Sequence, residues 1–81
     1  MDASPPVPLA RLTPGRSAVV ADVPREDADR LAAEGLHVGD RELVETRLPF
    51  GGPVVVRLGR ARVAVARRVA AGIIVEPGAG A

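Results

Sequence analysis

The sequence predicts a mainly β protein: a small barrel of about five short strands with one short α-helix. Three observations carry that prediction. Valine, leucine, isoleucine and alanine supply nearly all of the apolar 47%, and the β-branched members suit a pleated surface. Apolar residues recur in short alternating runs, as Val44, Thr46 and Leu48 do. Glycine and proline interrupt the runs at close intervals, at Pro14-Gly15, Gly39-Asp40, Pro49 and Pro53, and Gly59.

Length and composition set the bounds. With 81 residues the chain has room for one domain. A domain of that size buries only about 60% of the surface its unfolded chain exposes. There is no cysteine, so disulfides and thiolate metal sites are excluded. Phe50 is the only aromatic residue. Eleven basic residues, all arginine, nearly balance 10 acidic ones, for a net charge of +1. The arginines are dispersed, and Arg67-Arg68 is the only adjacent pair. A clustered basic face and stacking aromatics, the usual means of gripping nucleic acid, are missing, so a small nucleic-acid-binding barrel is a minor alternative. No apolar run approaches the roughly 20 residues of a membrane span. No signal peptide is visible, and a cytoplasmic location is expected.

The elements follow in order. Pro5, Pro6 and Pro8 predict a flexible, extended arm over 1–8. Leu9 and Leu12 are spaced for one short turn, and Pro14-Gly15 is a turn pair. The first strand is expected over 17–23. A short helix is expected over 24–34, with Pro24 in its first turn and Glu26, Asp27 and Asp29 near the positive end of its dipole. Gly35 fits the left-handed position just past the helix, which pairs Leu31 with Leu36 in a Schellman ending. Strands follow over 41–48 and 54–58, separated by the tight loop 49–53. In the first of these, Glu42, Val44, Thr46 and Leu48 share one face, and Arg41, Leu43, Glu45 and Arg47 the other, which is mostly charged. Gly59-Arg60 suits a type II′ hairpin turn into a strand over 62–66. A single turn over 67–72 and a last short strand over 73–76 complete the domain, assigned to 9–76, and a frayed tail is expected over 77–81. An SH3-like barrel is the natural architecture, because closure hides the edges of so small a sheet.

At this point the chain resembles the FeoA family, the small cytosolic proteins of bacterial ferrous iron uptake. The resemblance runs from Leu9 to Val75. It rests on Leu12 with Gly15, Arg30-Leu31 with Gly35-Leu36, Gly39, then Pro49, Gly51 and Pro53 with Val54 and Val56. Val63, Val65, Ala70, Ile73 and Val75 continue it. The chain departs from the family pattern at Glu34, Val38, Gly52 and Ala66, and at Glu42, which takes a strand position that is usually apolar. The resemblance implies an SH3-like barrel that binds a protein rather than a metal, and no cofactor is expected. The implied partner is FeoB, the membrane iron transporter with a cytosolic GTP-binding domain. Related domains close the DtxR-type iron-dependent repressors, so a regulatory domain of that kind is the alternative.

Candidate chemistry is sparse. His37, with Asp40 and Glu42, could be read as an iron site, but a lone histidine beside a turn is more simply a loop residue. The acidic residues of the helix start are explained by its dipole rather than by acid–base catalysis. No nucleophile–base pair and no phosphate-binding GxxxxGK[ST] loop is present, so the chain is expected not to be an enzyme. Partner contact is expected from Pro49, Phe50, Gly51 and Pro53, together with Arg67 and Arg68. Two readings of Phe50 stand: a plug over one barrel mouth, or an anchor for a partner. Two readings of Arg67-Arg68 also stand: a solvated pair, or a contact to phosphate or an acidic partner.

Overall fold

The computed structural model describes residues 5–77. The remainder of the expected arm and tail, 1–4 and 78–81, lies outside the described residues. Strand β1 is Val7–Pro8, and a 3₁₀ turn, Leu9–Arg11, follows it. Then come β2, Ser17–Asp22; a 3₁₀ turn, Arg25–Asp27; and helix α1, Ala28–Ala33. Three antiparallel strands follow: β3, Arg41–Arg47; β4, Val54–Leu58; and β5, Ala61–Val65. A four-residue helix α2, Arg67–Ala70, leads into β6, Ile74–Pro77.

The fold is mainly β, as expected, but the strands among the described residues number six rather than about five. The extra one comes from the arm: Val7 pairs with Val75 and Pro8 with Ile74. Proline is tolerated there because β1 lies at the end of the sheet, where a missing N–H costs no ladder bond. At the other terminus Pro77, expected in the tail, pairs with Ala18 and is buried. The strand order is β1-β6-β2-β3-β4-β5. Thus, among the described residues, β1 and β5 each have a single neighbour, and strand pairing does not close the sheet on itself. The expectation that closure would remove the edges does not hold for β5.

The core is almost wholly aliphatic. Leu9, Val20, Val44, Val54, Val56 and Val75 are among its fully buried members. Leu31 and Leu36 close it from the helix side. The helix ending is the expected one. Gly35 has φ +100°, its N–H donates to Ala32 O at 2.9 Å, and Leu36 N–H donates to Leu31 O at 2.9 Å. These are the two hydrogen bonds of a Schellman motif, and they press Leu36 onto the core beside Leu31. The helix begins later than expected because Arg25–Asp27 is wound as 3₁₀. Asp27 spends its carboxylate on Arg30, at 2.7 Å, rather than on a backbone cap.

Two turns behave as their sequences require. Gly59 has φ +62° between the paired residues Leu58 and Ala61, as the first residue of a type II′ turn should. In 37–40, Gly39 has φ +95° and Asp40 N–H donates to His37 O at 3.0 Å.

Strand β3 corrects one expectation. Glu42 and Val44 do point inward, and Leu43 is half-buried on the other face. Beyond Val44 the register slips: Val44 pairs with Val56, but Thr46 pairs with Val55. This β-bulge breaks the alternation, so Thr46 and Leu48 are exposed instead of continuing the buried face. Just beyond the bulge, residues 48–51 of the loop 48–53 are exposed.

Candidate functional site

That loop is the most unusual surface of the molecule. Within it, Gly52 N–H donates to Pro49 O at 3.1 Å, and Leu48 N–H donates to Pro53 O at 3.0 Å. The two central residues, Phe50 and Gly51, have φ +58° and +74°. Those are the signs of a type I′ turn, which glycine adopts freely and phenylalanine only at a cost. Phe50 is the only non-glycine residue with positive φ among the described residues. A left-handed conformation costs a residue with a Cβ about 1–2 kcal/mol. Burial does not offset that cost, because Phe50 is 102% exposed. The plug reading of Phe50 is therefore overturned: the ring touches no barrel mouth. With Leu48 at 42% exposure, the loop supplies two of the three large exposed hydrophobics among the described residues.

The strained tip is held from below. Arg67, the first residue of α2, donates from Nε to Gly52 O at 3.0 Å and from Nη2 to Leu48 O at 3.1 Å. One guanidinium thus ties both ends of the loop to the helix. Arg47 makes a second tie, donating from Nη1 to Ala10 O at 2.8 Å. Gly52 leaves no slack, since a Cβ there would stand 3.0 Å from Leu48 Cβ and 3.2 Å from Pro49 O.

The expected contact residues are thus only partly brought together. Pro49, Phe50, Gly51, Pro53 and Arg67 form one unit. In it Arg67 is a half-buried strut, neither a solvated charge nor a free contact. Arg68 turns away and lines a separate cleft with Glu26, Asp27 and Val69. Sequence reasoning missed Leu48 and the tie from Arg47. No sequence signal marks that tie, because it joins residues 37 apart in the chain.

The remaining candidates assemble no reactive centre. Asp40 accepts from the His37 backbone N–H at 2.9 Å and lies 3.3 Å from His37 Nδ1, closing the 37–40 turn. No group of three or more His, Cys, Asp or Glu side chains could hold a metal ion among the described residues. Glu42 is a different matter. It is 1% exposed, and neither carboxyl oxygen has a hydrogen-bond partner. Burial, and secondly the nearby charge of Asp40, push its pKa up to about 7.

The family model of the FeoA domain matches residues 7–77. The chain belongs to the FeoA domain family. Solved FeoA structures agree in fold. An iron uptake regulatory protein (FeoA) is 25% identical with a TM-score of 0.82, over 93% of this chain and 100% of that one. The FeoA protein from Chlorobium tepidum is 30% identical with a TM-score of 0.81, over 93% of this chain and 73% of that one. A manganese-dependent transcriptional repressor is 25% identical with a TM-score of 0.78, and there the chain spans 94% of its own length but 44% of the repressor. The FeoA domain is thus related to a domain of metal-dependent repressors. A search of curated proteins returns no match. The SH3-like architecture expected from the sequence is shared with these FeoA structures.

Proposed function

We propose that this FeoA domain is a non-enzymatic interaction module that supports ferrous iron transport by binding the cytosolic part of FeoB. The observation that carries the reading is Phe50: a fully exposed aromatic ring in a strained turn, braced by Arg67. Strain that persists without burial is a mark of function rather than of folding. An aromatic side chain held rigidly at the surface also loses little entropy when a partner covers it. In this reading Leu48 and Pro49 complete the apolar tip, and Arg67 sets its angle. The reading requires a cytoplasmic location. No helix among the described residues is long and apolar enough to cross a membrane.

The test is a pull-down of the purified domain with the cytosolic part of FeoB. Phe50→Ala is expected to weaken capture by more than tenfold, as loss of an interface anchor does. Undiminished capture by Phe50→Ala refutes the assignment. A tight, stoichiometric Fe²⁺ site in a titration of the isolated domain refutes the interaction-module reading itself. The likeness to a repressor favours a second reading, a regulatory domain for another chain. Capture of a repressor in preference to FeoB would select it.

A further inference from the structure

The two ends of the sheet are finished differently. At one end β1 has two residues and ends in Pro8, so it offers little to pair with. At the other end β5 has five residues and no proline. Its pairing register with β4 starts at Leu58 and Ala61, on either side of a two-residue turn. In that register Ala61, Val63 and Val65 direct their N–H and C=O groups to β4, and Arg62 and Ala64 direct theirs outward. Beyond β5, Ala66 O is already used by Ala70 N–H. Among the described residues, no other strand pairs with β5, and no turn or loop hydrogen bond reaches Arg62 or Ala64. A short ladder of backbone donors and acceptors is therefore free among the described residues. The side chains do not block it, since Ala64 and Ala66 are small and exposed.

This edge faces two adjoining clefts of about 290 Å³ and 320 Å³ that share Glu34 and Ala64. Arg30 and Glu34 line them from the α1 side, Arg68 from α2, and Arg62 from β5 itself. The three arginines do not carry equal free charge. Arg30 is paired with Asp27 and Arg62 with Glu45. Arg68 has no ionic partner among the described residues and stands exposed.

We propose that the open edge of β5 is a docking site for an extended, acidic peptide segment of a partner protein. The segment adds a strand beside β5 and sets a carboxylate against Arg68. Backbone hydrogen bonds to Arg62 and Ala64 supply its register, and Arg68, the one of the three arginines left without an ionic partner, supplies its charge preference. The surface is separate from the Phe50 tip, so failure at either leaves the other standing.

The probe is a short synthetic peptide alternating valine and glutamate, capped at both ends and titrated into the ¹⁵N-labelled domain. The expected result is amide shifts confined to residues 61–68, with slowed hydrogen exchange at Arg62 and Ala64. Arg68→Glu is expected to weaken binding by about fivefold or more. Ala64→Pro removes one outward donor that the fold itself does not use, and is expected to abolish the ladder while the remaining amide spectrum stays folded. Equal binding of a peptide with lysine in place of glutamate would overturn the charge assignment. An absence of shifts at millimolar peptide, or shifts centred on 48–53, would overturn the site. Protection of Arg62 and Ala64 in a self-associated sample without peptide would assign the edge to a second copy and overturn it as well.

Discussion

Glu42→Gln isolates the most costly side chain in the core. Both oxygens of Glu42 are buried without a partner, and its carboxyl is raised from 4.5 to about 7. A tenfold difference in proton affinity is worth about 1.4 kcal/mol, so the raised value corresponds to about 3 kcal/mol of linkage. Total stability for a chain of this length is on the order of 4–12 kcal/mol, which makes the linkage a large share of it. The sign follows from which state holds the proton. Between pH 4.5 and about 7 the unfolded chain releases the Glu42 proton while the folded chain keeps it. The favourable contribution is therefore complete below pH 4.5, falls through that window, and is lost above about pH 7. The assay is urea unfolding followed by far-ultraviolet circular dichroism from pH 4 to pH 8, on the parent and on Glu42→Gln. Glutamine keeps the shape and cannot titrate. The stability difference between the two proteins should grow with pH by about 3 kcal/mol, in favour of glutamine. Groups common to both proteins cancel in that difference. Parallel pH profiles would refute the claim that the core holds this carboxyl neutral.

Three further outcomes are expected. Gly35→Val should destabilise the domain by about 1–2 kcal/mol, because φ +100° strains any residue with a Cβ; an unchanged urea midpoint would contradict this. Phe50→Gly should hold or raise stability, by up to about 1 kcal/mol, because it relieves the left-handed strain and removes no packing. The same change should abolish partner capture, and a loss of stability instead would show that the ring contributes to the fold. Arg67→Ala should leave the β-sheet amides protected while hydrogen exchange at Gly52 and Leu48 accelerates. Unaltered exchange there would mean that the two bonds from Arg67 do not hold the loop.

Much of the fold was legible because its signals are local. The Schellman ending needs only Leu31, Gly35 and Leu36 within six positions, and the β4–β5 turn needs only a leading glycine. What escaped is non-local. The bulge at Val44 and Thr46 arises from how β3 meets β4, and nothing in the 41–48 alternation announces it. The pairing of Val7 and Pro8 depends on a strand almost seventy residues away. Arg67 looked like half of a charged pair, because its neighbour in sequence is Arg68 while its partners in space are Gly52 and Leu48. For the site, the sequence singled out Phe50 and its loop but not the ring's direction, which the positive φ sets. Alternation with Val44 places Glu42 on the inward face. Its lack of any partner could be seen only once its surroundings were in place.

The position of the sole aromatic has an optical consequence. With no tryptophan or tyrosine and the one phenylalanine in solvent, unfolding leaves the near-ultraviolet spectrum and intrinsic fluorescence nearly silent. A tryptophan substituted for Phe50 would inherit that indifference to denaturation, yet its emission would shift blue the moment another molecule covered it. The molecule thus carries a place for a reporter that sees docking and ignores melting.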